Sequence, residues 1–367
     1  MFRIQMKIKT ITCHDVYNLG ASLQAYALAT YLKDCDHDVQ IIDYKPDYLS
    51  RHYSLTAVPN PRYDRPILRE LYLMAKLPGR LKARCSKRKQ RFDAFRTDYL
   101  PLTDSRFQTA DELRSHCPEA DVFIAGSDQI WNPVFPNGKD PVFFLEFVPE
   151  DRRKISYAAS FSVDQLDAED QNRMKLWLSR LDGISVREIS GVDLLKSMGL
   201  DGVQVMDPVF LLPKAQWESI AVLPDMQDYI LVYDFDGSAL VRDVASTLAK
   251  RTGKKIVSVF PMEGADQVWS EMGPREFLGA IMNAGLVLSN SFHATAFSLI
   301  FQKEFYVLNR EEKINTRMRD LLAAVSMDER LISAIPVEEA IKNWSEVQTL
   351  LGVLTQRSKD FLNDYIR

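Results

Sequence analysis

Residues 286–301, LVLSNSFHATAFSLIF, most narrow what this chain can fold into. Leu286, Val287 and Leu288 read as the end of a buried strand, and Ala294 to Phe301 as a buried helix. Between them lie Ser289, Asn290, Ser291, Phe292 and His293. A strand that stops at a polar triplet and restarts as a helix is the strand-to-helix turn of an α/β sheet. Ser291 or Asn290 can cap the helix by accepting a bond from a first-turn N–H. The remaining first-turn N–H groups then face the crevice at the carboxyl end of the sheet, where such folds bind ligands and anions are favoured. His293 falls there, a titratable group beside an anion site. The stretch alone is equally compatible with a packed histidine.

The rest of the chain supplies the sheet. Met6–Thr12 and Asp38–Asp43 read as strands flanking the helix ASLQAYALATYLKD, in which Leu23, Ala27, Leu28 and Leu32 recur at helical spacing. This βαβ opening lacks both a dinucleotide fingerprint and a P-loop. Val122–Ala125, Ile155–Phe161, Gly183–Arg187 and Val203–Met206 continue as strands. After Asp207-Pro208, read as a turn at a domain junction, the alternation restarts with Tyr229–Tyr233, Lys255–Phe260, the focal strand and Phe305–Leu308. A long helix, Trp344–Ile366, closes the chain. With 367 residues, the pattern predicts an α/β protein of two Rossmann-like domains facing across a cleft. The expected division is 1–206, 207–343 and a terminal helix, 344–367.

Residues 44 to about 105 break the alternation. Tyr44–Pro66 reads as a long loop. Residues 80–96 are basic, with Arg80, Lys82, Arg84, Lys87, Arg88, Lys89, Arg91 and Arg96 against Asp93 alone, and Leu81, Cys85, Phe92 and Phe95 can form one apolar stripe. That is either a surface for anionic headgroups or a solvated helix face. The net charge of −4 gives no general pull toward nucleic acid. No run of 18 uncharged apolar residues occurs, so no membrane span is predicted. The N-terminus lacks the apolar core of a secretory signal, and four scattered cysteines suit reduced thiols; a cytoplasmic location is expected.

Two further clusters are candidates for chemistry. Gly126 lets the backbone turn after a buried strand, and Ser127, Asp128, Gln129, Trp131 and Asn132 follow. Polar groups around one Trp suit a sugar, whose face packs on an aromatic ring; an Asx-capped turn anchored by Trp fits equally. Arg187 ends a strand and can hold a carboxylate or phosphate, or pair with Glu188. The pairs His14-Asp15 and Asp36-His37-Asp38 invite a metal reading, but no metal site is assigned.

NLGASLQAYAL, GSDQIWNP, ISYAASF, ISVRE, MDPVFLL, GPREFL and SNSFHATAFSLIF, in this order over most of the chain, resemble the polysaccharide pyruvyl transferase family. The resemblance implies a fold like the two-domain GT-B glycosyltransferases, with the terminal helix crossing back to the first domain. It implies transfer of a pyruvyl group, as a ketal, from phosphoenolpyruvate as co-substrate to a hexose of a glycan or a polyprenyl-diphosphate carrier, without other cofactor. The partners implied are those two substrates, and the place is the cytoplasm, at the inner face of the membrane if 80–96 touches it. His293 matches the histidine of the family's Arg-Leu-His motif, and Ser291 stands where its Arg would be. Arg187 matches the Arg of its Ser-Val-Arg strand, and Lys313 a downstream Lys. Arg317, in preference to Arg319, is expected to replace the missing Arg. The implied donor set is therefore Arg187, Ser291, Lys313 and Arg317. The implied acceptor set is Asn18, Asp128, Gln129, Trp131 and Asn132, with the donor on the second domain and the acceptor on the first. His293 is the candidate general acid or base, and Asp128 an alternative base. A nucleotide-sugar glycosyltransferase and a non-catalytic glycan-binding protein remain as other readings.

Overall fold

The computed structural model describes residues 5–50, 53–58, 60–309, 316–336 and 343–366. Its first sheet contains β1 (Lys7–Ile11), β2 (Asp38–Tyr44), β3 (Leu102–Phe107), β4 (Val122–Ala125) and β5 (Arg153–Ser156) in the order β3-β2-β1-β4-β5, all parallel. Single bridges, Ile155 to Gly183 and Ala159 to Val186, continue this sheet into the short pair β6 (Ser185–Val186) and β7 (Val203–Gln204). The second sheet contains β8 (Tyr229–Tyr233), β9 (Ile256–Ser258), β10 (Gln267–Val268), β11 (Ala284–Ser289), β12 (Phe305–Leu308) and β13 (Leu331–Ile332). Its order is β10-β9-β8-β11-β12-β13, again all parallel. The apolar runs VFIA and YILVY are buried along their whole length, as central strands covered on both faces must be.

The two sheets share one core. The first helix, Leu19–Asp34, buries Leu19, Leu23, Ala27, Leu28 and Leu32. Its residues cluster with Trp217, Phe277 and Phe297 of the second half. A helix covered on all sides needs apolar or small residues all round, and this one has them. The terminal helix, Trp344–Tyr365, starts against the second unit, where Gln348 donates to the Leu299 carbonyl at 3.1 Å. It ends on the first, where Arg153 donates to the Tyr365 carbonyl at 2.8 Å and the Met206 N–H donates to Ser358 Oγ at 2.8 Å. It therefore crosses back, as the two-domain reading requires.

Three local expectations are corrected. Ile155–Phe161 is regular only to Ser156, because Ala158 and Ser162 adopt left-handed φ of 54° and 56° and leave single bridges in place of a ladder. Residues 44–66 are not followed by one striped helix over 80–96. A helix runs from Pro66 to Arg84, stops at Cys85, and a second runs from Lys87 to Tyr99, capped by Ser86, which accepts from the Lys89 N–H at 3.3 Å. The break turns Phe92 and Phe95 into the core while Leu81 stays 46% exposed, so the expected stripe is split. β3, with the sequence LTDSRF, was not anticipated; an edge strand with polar residues on both faces has no period-2 signal.

Candidate active site

β11 ends at Ser289, and the helix Phe292–Phe301 begins three residues later. Of the two possible caps, Ser291 takes the role, accepting from the Ala294 N–H at 3.5 Å. Asn290 instead accepts from the Phe235 N–H at 3.0 Å and donates to Asp234 at 2.6 Å, tying the ends of β11 and β8 together. His293 is the second residue of this helix and is 6% exposed. It is not enclosed by hydrocarbon alone. One ring edge lies on Gly20 of the first helix, so closely that a Cβ there would come within 1.9 Å of Nδ1. The other edge, Nε2, faces Asp207 Oδ2 at 3.6 Å. The imidazole is thus held between the two halves of the molecule.

Asp207 is the hub of the site. Oδ2 of this fully buried carboxylate accepts from Arg187 Nη1 at 2.6 Å and from Ser127 Oγ at 3.1 Å, and Oδ1 accepts from the Val209 N–H at 3.1 Å. Burial pushes its pKa up, but His293, Arg187 and the Val209 N–H outweigh burial and hold it far below the ordinary value. Arg187 also donates from Nε to Glu188 Oε1 at 3.3 Å, which accepts from Ser160 Oγ at 2.5 Å. Glu188 is shifted the other way: its burial outweighs Arg187 and Ser160, and its pKa is raised. Of the two sequence options for Arg187, the pairing with acids is seen, to Glu188 and to Asp207, the carboxylate that also faces His293.

Phe292 joins the cations. Arg187 lies 4.4 Å above its ring and Arg317 lies 6.0 Å from the same centroid. Arg317 Nη1 is 4.0 Å from Asp128 Oδ1. With its amide oxygen turned toward the guanidinium, Gln129 accepts from Arg317 at 2.8 Å and 3.3 Å. Arg319 points elsewhere, to Asp164 and Asp320. Asp128 adopts φ 75°, uncommon for a residue with a Cβ, and its carbonyl accepts from the Ser160 N–H at 3.0 Å. Arg187, Arg317, Asp128, Gln129, Ser291 and His293 thus occupy one locale, fed by the carboxyl ends of β4 and β6, by the start of the histidine helix and by the helix Thr316–Ala324.

Three buried atoms here have no hydrogen-bond partner among the described residues: Arg187 Nη2, Glu188 Oε2 and His293 Nε2. Each such atom costs about 1–3 kcal/mol, and their gathering in one place makes this the candidate site.

Other expected site residues fall differently. Trp131 is fully buried, its indole N–H donates to the Phe143 carbonyl at 3.0 Å, and its ring stacks on Phe144 at 5.4 Å. It offers no face to a sugar, and the stacking role is corrected: it anchors the loop. Asn132 is fully buried too, accepting from the Val134 N–H at 3.0 Å, with its carbonyl against Gly138. It shapes the turn and has no exposed edge for a hydroxyl. Asn18 caps the first helix by accepting from the Ala21 N–H at 3.1 Å, one turn from His293's ring. Lys313 lies outside the described residues. His14 bonds Asp43 and the Thr12 carbonyl, and His37 Nδ1 accepts from the Met6 N–H.

Sequence reasoning missed Asp207, taken as a turn, and Gly20, passed over within a motif. An Asp directly after a buried strand, followed by Pro, was the available signal for the first. For Gly20 no local signal exists, because its need comes from a ring 273 positions away in the chain.

Comparison with known proteins agrees with this architecture. UDP-N-acetylglucosamine 2-epimerase from Rickettsia bellii is similar over 99% of this chain and 97% of its own, with 11% identity and a TM-score of 0.51. The S. aureus MnaA–UDP co-structure is similar over 98% and 91%, with 10% identity and a TM-score of 0.51. Arabidopsis thaliana UGT89C1 is similar over 99% of each chain, with 11% identity and a TM-score of 0.50. At such identities the likeness concerns the fold, which is that of the two-domain GT-B enzymes. Comparison with curated protein sequences returned no match. A family model, polysaccharide pyruvyl transferase, matches residues 18–312, the span that holds Gly20, Asp128, Arg187, Asp207 and His293. The chain belongs to the polysaccharide pyruvyl transferase family.

Proposed function

We propose that this protein transfers a pyruvyl group from phosphoenolpyruvate to a hexose of a glycan or lipid-linked glycan precursor, forming a cyclic ketal and releasing phosphate. The observation that carries the reading is the convergence of His293, Arg187 and Arg317 from both units, with buried polar atoms left uncommitted between them. Phosphoenolpyruvate presents a carboxylate and a phosphate on one small frame and needs fixed donors in a site that excludes water. Arg187 Nη2, Arg317 and the first-turn N–H groups after Ser291 are suited to that task. Asp207 and Glu188 offset part of the positive charge, so further cations are needed, and Lys313 is the candidate.

In the proposed reaction His293 gives a proton to the methylene carbon, leaving oxocarbenium character on the adjacent carbon. One sugar hydroxyl attacks that carbon and loses its proton. The C–O bond to phosphate then breaks with its electron pair leaving on the phosphate, and a second hydroxyl closes the ring, its proton returning to His293. Asp128, beside Arg317 and held in a strained backbone conformation, is the candidate base toward the acceptor. In this reading Asp128 and Gln129 meet the sugar from the first unit, and Asn18 caps the helix whose Gly20 seats the His293 ring.

Phosphate release from phosphoenolpyruvate, measured across a panel of lipid-linked hexoses, tests the reading. Release that requires both substrates is the expected result. The likeness to a UDP-bound fold, together with Ser291 in the place of the family Arg, favours one competitor, a nucleotide-sugar transferase. Consumption of a nucleotide sugar with no phosphate from phosphoenolpyruvate would replace the proposal with that one.

A further inference from the structure

We propose that the helix Pro66–Arg84 is an interfacial helix that seats the protein on an anionic phospholipid bilayer. Ile67, Leu71, Met74 and Leu81 recur at helical spacing on one side and are 76%, 54%, 62% and 46% exposed. Leu68 and Leu77 flank them, also exposed. No described residue of the helix is buried. The three that are partly covered, Tyr72, Leu73 and Arg80, lie on the opposite side. There Tyr72 stacks on Tyr63 at 5.0 Å, and Arg80 donates to the Leu55 carbonyl at 2.6 Å and to the Ala57 carbonyl. The side that carries Tyr72, Leu73 and Arg80 therefore leans on the protein, and the apolar stripe faces outward.

A contiguous apolar face of this kind marks a contact surface. Pro78 and Gly79 weaken the helix from within, which adds to its need for a supporting surface. Charge selects the occupant. From Arg65 to Arg91 the chain carries ten Lys/Arg and a single acid, Glu70, although its net charge is −4. A basic helix with an apolar face is attracted to anionic headgroups and inserts its stripe at the acyl boundary. A second copy is disfavoured, since pairing stripe to stripe would bring two basic segments together.

Co-sedimentation with phosphatidylcholine vesicles, with and without phosphatidylglycerol, tests this without any turnover measurement. It goes beyond the proposed reaction and stands or falls apart from it. The full chain should bind the phosphatidylglycerol vesicles and leave pure phosphatidylcholine unbound. The double variant Ile67→Glu/Met74→Glu, and separately Lys82→Glu/Arg84→Glu, should each lose about tenfold or more in partitioning. Both should keep the wild-type melting temperature, because the replaced side chains are exposed. No binding to phosphatidylglycerol vesicles, or a stripe variant that binds like wild type, overturns the proposal. So does a concentration-dependent dimer, seen by sedimentation velocity, that the stripe variant dissolves.

Discussion

Among the described residues two buried histidine–aspartate pairs stand, each at the carboxyl end of a parallel sheet, and they are built for different ends. His14 uses both ring nitrogens: Nε2 meets Asp43 at 3.1 Å and Nδ1 meets the Thr12 carbonyl at 3.2 Å. Asp43 is also held by Arg106 at 2.9 Å. His293 faces Asp207 at 3.6 Å, has no hydrogen-bond partner within reach of Nε2 among the described residues, and rests its other edge on a glycine. The first pair is saturated and belongs to one sheet. The second is unsaturated and joins two. Residue types at the two places are the same, so chemistry is assigned by what the imidazole has left to give.

The contrast breaks if the two histidines behave alike. His293→Gln should lower kcat by about 10²–10⁴, the range for loss of a general acid or base. His14→Gln should leave kcat nearly intact and cost about 1–3 kcal/mol of stability through the buried acceptor it strands. Equal losses of turnover at unchanged stability would defeat the distinction. Arg187→Met removes the cation between Asp207 and Glu188 and should cost about 3–5 kcal/mol in denaturant unfolding, because two buried acids lose their partner. Arg106→Met, at a side chain 38% exposed, should cost about 1 kcal/mol or less.

Gly20→Ala sharpens the comparison from the opposite unit. A methyl group 1.9 Å from Nδ1 must displace the imidazole, and kcat should fall about a hundredfold while His14 is untouched. A variant with wild-type turnover would show that the ring's seat on the first helix is dispensable. The smallest effect is in acid. Burial raises the Asp43 pKa, but the bonds from His14 and Arg106 outweigh it and hold the group at about 2. A depressed carboxyl stabilises the fold above the unfolded value, about 3.9, and loses that contribution as pH falls through the folded value. Asp43→Asn should therefore make the loss of stability between about pH 4 and 2 less steep, while the Asp207 contribution, depressed in the same sense, remains. An acid limb of unchanged slope would mean that the His14 pair is not linked to folding.

The parts of this protein legible in its sequence were those whose neighbours are close along the chain. YILVY and VFIA announce central strands because both faces are covered. A cap at Ser291 or Asn290 is announced because its partner lies three or four residues on, and the structure gives it to Ser291. What stayed hidden depends on distant chain. Trp131 reads as a sugar platform or as an anchor until Phe143 and Phe144 are seen to enclose it. Asp207 reads as a turn until Arg187, Ser127 and His293 converge on it. The edge strand LTDSRF carries no apolar alternation because it has one neighbour and a wet flank. Leu81 and Phe92 look like one stripe until the chain turns at Cys85 and Ser86.

The bond from the Met206 N–H to Ser358 Oγ has a mechanical meaning. The chain goes from the strands of the first sheet to those of the second between Gln204 and Tyr229, and the terminal helix returns; this bond ties that helix to the crossing. Asp207 is the next residue along the chain. The terminal helix is therefore tied one residue from the carboxylate that faces His293, so the far end of the chain helps to fix the acid's place in the site.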